Sequence, residues 1–188
     1  MKRQLLAGLV AFVFCTGTSA QSAYGVVSLG SSRLNVDCTG ATTCDKTDTA
    51  YKILGGYKFS PNVAAEAGFF GFGKASASDS TVSAEISNTA FGGGVAFHQD
   101  LAANWNFVAR LGLVSVKTKI SGTVIGVGSV SDSDSNIAPY AGIGIGYKLS
   151  KAVSVDGAVD FTRSKYNKNG IDESGNLTAV SVGLTFAF

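Results

Sequence analysis

Charge is scarce in this sequence: Asp, Glu, Lys and Arg make up 15% of its 188 residues, against about 25% in an average soluble domain. Proline occurs twice, and tryptophan and histidine once each. A lone histidine leaves any histidine-dependent chemistry to His98, with no second candidate to activate a serine elsewhere. Beyond the N-terminus no apolar run approaches the roughly 18 residues of a transmembrane helix, which excludes a helical membrane protein. The 15 basic and 13 acidic residues nearly cancel, so the basic footprint of a nucleic-acid-binding protein is missing. What is abundant is glycine, with 24 residues, and apolar side chains at 45%, giving a mean hydropathy of +0.24. That is too apolar for a disordered chain, and the glycines follow no collagen period. A single glycine-rich β domain remains.

Met1, Lys2 and Arg3 precede an apolar run over residues 5–14, and Thr18-Ser19-Ala20 stands before Gln21. This pattern predicts a secretory signal peptide over 1–20 and a mature domain over 21–188. Cys15 follows Phe14 rather than a small residue, so it is expected to leave with the signal and not to carry lipid. Cys38 and Cys44 remain, in the run CTGATTC. An exported chain with two cysteines this close is expected to join them in a local disulfide. The segment offers too few ligands for zinc, and no metal or cofactor is expected.

Period-two alternation in segments of about ten residues dominates the mature sequence, which is the length a tilted membrane strand needs. Eight such segments lie near 24–33, 50–59, 63–74, 87–98, 105–119, 137–149, 153–162 and 179–188. The seventh is the most regular, with Val153, Val155, Val159 and Phe161 on one face and Ser154, Asp156, Asp160 and Thr162 on the other. In the third the phase is ambiguous, because Phe69 and Phe70 are adjacent. Connections alternate between short turns, as at Ser60-Pro61-Asn62, and long polar stretches over 34–49, 75–86, 120–136 and 164–176. Short turns at one end and long loops at the other are the outer-membrane pattern, and open sheet edges cannot persist in hydrocarbon. The expected fold is an all-β, eight-stranded antiparallel up-and-down transmembrane β-barrel. Trp105, Tyr57, Phe59 and Tyr147 fall at strand ends as an interface girdle. A soluble lipocalin-type barrel would invert the two faces.

The segment GGYKFSPNVAAEAGFFGFG at 55–73 resembles the second hairpin of the transmembrane domain of outer-membrane protein A, as do ARLGL at 109–113 and APYAGIGIGYKL at 138–149. The C-terminal alternation of Val182, Leu184, Phe186 and Phe188 resembles the signal read by the barrel-assembly machinery. The family includes barrel-only, opacity-type adhesins, and the resemblance implies adhesion, host interaction or envelope integrity. It also implies a lumenal ion-pair network: Glu66 and Arg110 match the family's third-strand glutamate and fifth-strand arginine. The seventh-strand arginine of the family is replaced near Asp156, so a gate built on it is not carried over. Lys52, Lys148 and Asp160 are expected to enlarge the network, in which charges satisfy one another because a buried charge needs a partner.

Other motifs resolve as structure. His98 reads as an interfacial turn residue. Asp132-Ser133-Asp134-Ser135-Asn136 begins like a calcium loop, but Ile137 and Ile143 occupy the positions of the required glycine and glutamate. The apolar run TVIGVGSV over 123–130 predicts a surface hairpin whose Thr123, Val124, Ile125, Val127 and Val130 offer a possible partner-binding edge. A monomeric, non-enzymatic surface protein is expected. Its partners would be outer-membrane lipid, lipopolysaccharide, the barrel-assembly machinery and a host or surface ligand reached through the loops. A narrow channel for ions or small solutes is the alternative, resting on the polar lumenal residues.

Overall fold

The computed structural model describes residues 22–35, 42–79, 82–124, 128–168 and 171–188. These form nine strands: β1 (Ala23–Asn35), β2 (Thr43–Asp45), β3 (Thr47–Lys58), β4 (Val63–Ser78), β5 (Val82–Asp100), β6 (Trp105–Val124), β7 (Gly128–Lys148), β8 (Val153–Lys168) and β9 (Ile171–Ala187). β2 continues the course of β3 beyond Lys46 and pairs with the same neighbour, β4, so the wall has eight staves. Every pairing is antiparallel between chain neighbours, and β1 closes the ring on β9 from Tyr24↔Ala187 to Asn35↔Asn176. The last amide joins the closure, Phe188 N donating to Ala23 O at 2.9 Å. Closure removes the two edges that an open sheet would leave unpaired.

Alternation sorts side chains by chemistry, with the apolar set outside. Val27, Leu29, Ile53, Phe91, Leu111, Leu113, Val182 and Leu184 are exposed on the outer surface, while Ser28, Lys52, Glu66, Arg110 and Asp160 are buried within. These faces are opposite to those of a soluble ligand-binding barrel. At the short-turn end Trp105 and Tyr147 stand cross-strand with ring centroids 5.1 Å apart, and Tyr57 and Phe59 are exposed at the same end.

The strands are longer than the alternation predicts, because the polar connections are themselves ladders. β5, β6 and β7 have 19, 20 and 21 residues, about twice what crosses a membrane. The β6–β7 ladder runs to Val124↔Gly128, the β4–β5 ladder to Ser78↔Ser83, and the β8–β9 ladder to Lys168↔Ile171. Stretches read as loops over 75–86, 120–136 and 164–176 are thus mostly hairpin arms. Polar residues disfavour the membrane belt, not the strand, so the end of apolar alternation marks the end of the belt only.

A bulge settles the ambiguous third segment. The β4–β5 register jumps from Gly71↔Thr89 to Lys74↔Ser87, and Gly73 adopts φ 65° there. Asp48 holds the distortion: its Oδ2 accepts from Lys74 N at 2.8 Å and its Oδ1 from Thr49 N at 2.7 Å. Below the bulge Glu66 and Phe70 point inward; above it Ala75 does, and Lys74 turns outward. One inserted residue exchanges the faces of everything beyond it.

Candidate functional site in the barrel lumen

The narrow interior of an eight-stranded barrel must be filled by side chains, and the lumenal residues here fill it with paired charges. Glu66, from β4, receives two hydrogen bonds: Arg110 Nε of β6 donates to Oε2 at 2.8 Å, and Tyr24 OH of β1 donates to Oε1 at 2.7 Å. Asp160, from β8, is held the same way. Lys52 Nζ of β3 donates to Oδ2 and Tyr140 OH of β7 to Oδ1, each at 2.5 Å. Both carboxylates therefore have both oxygens engaged, each with one cation and one tyrosine, which satisfies the requirement for burying a charge. Side-chain exposure is 7% and 6% for Arg110 and Glu66, and 4% and 3% for Lys52 and Asp160.

Aromatic rings close the space toward the long-hairpin end. Phe70 lies 4.8 Å from Tyr140 and 6.1 Å from Phe72 between centroids, and Leu34, Leu177 and Val116 are fully buried. Glycines on the facing strands make room for these groups: a Cβ on Gly56 would meet the Tyr24 ring at 2.2 Å, and one on Gly142 would meet Asp160 Oδ1 at 2.7 Å. Two cavities of about 10 Å³ lie beside the ion pairs, each barely enough for one water. A larger cavity of about 500 Å³ opens at the short-turn end, with Arg110 in its lining.

Of the six lumenal charges expected together, the structure brings four into two pairs. Asp156 instead accepts from Thr185 Oγ1 at 2.5 Å. Lys148 is not in the interior network; it pairs with Asp100 at 2.8 Å at the short-turn rim, because it is the last residue of β7. Tyr24, Tyr140 and His98 complete the network without having been assigned to it. His98 is not a turn residue: β5 continues to Asp100, and the ring turns inward against Tyr24. Asn62 fixes its backbone from the facing turn, accepting from His98 N at 2.7 Å and donating to His98 O at 2.8 Å.

At the long-hairpin end, Val130 is 77% exposed and pairs with Gly122 across the β6–β7 hairpin. Thr123 pairs with Ser129 and Val124 with Gly128, whereas Ile125 and Val127 lie outside the described residues. β6 is laddered on both sides as far as Val124. The ladder from β7 to β8 ends at Tyr140↔Thr162, next to Pro139, which has no amide proton to give. Asp132 and Asp134 accept from the amides of Ser133 and Ser135 within β7, and no metal-ligating cluster occurs among the described residues. Cys44 lies on β2 and is disulfide-bonded; Cys38 is outside the described residues. Val182, Leu184, Phe186 and Phe188 all face outward at the closing seam.

The family model for the outer membrane protein beta-barrel domain matches residues 6–188. No curated protein matches the chain by sequence. Among solved structures, Neisserial surface protein A superposes with a TM-score of 0.64 at 12% identity, over 88% of this chain and 97% of that one. Ail, the attachment invasion locus protein of Yersinia pestis, gives 0.55 at 14% identity over 89% and 99%. The N-terminal β-barrel domain of Pseudomonas aeruginosa OprF gives 0.51 at 12% identity over 89% and 100%. At these identities the likeness is one of fold.

Proposed function

Because this chain belongs to the outer membrane protein beta-barrel domain family of Gram-negative bacteria, we propose that it is a surface protein whose barrel is a sealed anchor and whose strand-built hairpins carry an adhesive or envelope-stabilising contact. The observation that supports this most is the pair of buried lumenal carboxylates, Glu66 and Asp160, each accepting two hydrogen bonds. An open channel would require those four hydrogen bonds to be broken and the two buried ion pairs to be separated. The apolar outer face fits contact with lipid, and the long ends of β5, β6 and β7 raise polar ladder beyond that contact. Ail, named for attachment and invasion, has this barrel plan, and its complex with the heparin analogue sucrose octasulfate is a structural precedent for ligand contact.

The reading includes export by the 1–20 signal, delivery by the barrel-assembly machinery through the terminal Phe188, a monomeric barrel, and a Cys38–Cys44 disulfide. Protease shaving of intact cells, with boiled and unboiled electrophoresis of the protected fragment, tests it. Cleavage confined to the long hairpins, together with a heat-dependent mobility shift, is expected. Cleavage at the turns 60–62 or 150–152 in intact cells, or a soluble protein with no mobility shift, would refute it.

A further inference from the structure

We infer that the outer face of β4, β5 and β6 carries a binding site for the phosphorylated glycolipid headgroup of the outer leaflet, formed by Lys74, Lys117 and Lys119. The inference rests on the outer-membrane reading above and names a partner for one face of the barrel. Lys117 and Lys119 are exposed on β6, on the same face as Leu111 and Leu113 and beyond Ser115. The row of Ser115 still carries the exposed apolar Phe91 and Ile137 on the neighbouring strands. At about 3.4 Å per residue and a tilt near 40°, Lys117 stands about 5 Å along the barrel axis past that row, at the edge of the apolar surface. Neither lysine forms an ion pair among the described residues.

Lys74 joins them because of the bulge. In unbroken alternation it would face the lumen with Glu66 and Phe70; the register jump turns it outward, opposite Ser87, which is itself opposite Lys119. A bulge that re-aims one side chain is a recurrent device. Two strand spacings separate Lys74 from Lys119, about 10 Å, and two residues separate Lys117 from Lys119, about 7 Å. Three cations at such spacings suit two phosphates on one headgroup better than a single phosphate.

The intervening positions are neutral hydrogen-bonding groups. Ser87 and Thr89 on β5 and Ser133 and Ser135 on β7 pair directly with Lys119 or Lys117, and hydroxyls of this kind suit sugar and phosphate oxygens. Asp48 reaches Lys74, but its two oxygens are held by the amides of Lys74 and Thr49; the outward carboxylates of these strands lie one row further from the belt. Glu85 pairs with Lys74 at 3.0 Å, both exposed, and Asp45 accepts from Thr47 N at 3.1 Å. An exposed pair of this kind is weak and can exchange for phosphate. The lysine stems cover apolar surface while their heads reach the charge.

The test is lipid retention by the refolded full-length mature barrel in micelles doped with bis-phosphorylated lipid A, dephosphorylated lipid A or phosphatidylglycerol, read by native mass spectrometry. The native chain is expected to retain bis-phosphorylated lipid A in preference to the other two. Lys74→Gln/Lys117→Gln/Lys119→Gln is expected to lose about tenfold in retention, since each lysine near anionic headgroups contributes modestly. Glu85→Gln frees Lys74 and raises retention about twofold, a gain that misfolding cannot mimic. Lys151→Gln, at the opposite end, leaves retention unchanged. Equal retention by the native, triple and Glu85→Gln proteins, or equal retention of phosphatidylglycerol, would overturn the site while the heat-dependent mobility shift persists. Loss of that shift in every lipid would instead overturn the membrane reading itself, and the site with it.

Discussion

Tyr24 and His98, 74 residues apart in sequence, meet edge to face in the lumen, with centroids 5.3 Å apart, planes at 82°, and Tyr24 OH 3.0 Å from His98 Nε2. The phenol has one proton, and it goes to Glu66 at 2.7 Å. Tyr24 therefore accepts from the histidine, and the neutral ring must carry its proton on Nε2. A long-range proton–nitrogen correlation spectrum of the barrel in micelles should show the Nε2–H tautomer. A dominant Nδ1–H form would contradict this hydrogen-bond direction.

Removing Arg110 leaves Glu66 buried with only Tyr24 as a donor. Arg110→Ala is expected to lower unfolding stability by about 3–5 kcal/mol, the usual cost of orphaning a buried charge. Urea unfolding in detergent micelles measures it. A change below about 1 kcal/mol would mean that water reaches Glu66 and that the lumen is not dry.

The Lys52–Asp160 pair offers a different contrast. Lys52→Met alone should cost a similar amount, whereas Lys52→Met with Asp160→Leu and Tyr140→Phe removes every partner together and should come close to the native stability. If the triple substitution is as damaging as the single one, the pair contributes through shape rather than through charge satisfaction.

Gly142 faces Asp160 Oδ1 and Tyr140 OH at 2.7 and 2.8 Å from where a Cβ would stand. Gly142→Ala must displace one of them, at about 1–3 kcal/mol. Gly55, with open space at its Cβ position, should accept alanine without loss of stability. Thermal mobility-shift curves of the two variants, compared side by side, make the test.

Much of this architecture is legible in the residues alone. Val153 to Phe161 alternates so regularly that face and strand follow directly, and Glu66, Arg110, Lys52 and Asp160 stand out as charges on lumenal faces. Alternation gives the phase of each strand but not the register between strands, so it says which side a residue faces and not which residue it meets. Lys74 is the clearest instance: its outward position depends on a bulge held by Asp48, 26 residues away. His98 escapes for a related reason, since nothing local distinguishes the last inward residue of β5 from the first residue of a turn. Hairpin length escapes too, because paired polar residues beyond the belt lose the apolar signal while keeping the ladder.

Conductance across a planar bilayer measures the sealed barrel most directly. The native protein, inserted and verified by its heat-dependent mobility shift, should pass no steady current at moderate voltage, and Arg110→Ala should introduce brief openings if it still inserts. A stable, voltage-independent current through the native protein would contradict a lumen closed by Glu66–Arg110 and Lys52–Asp160.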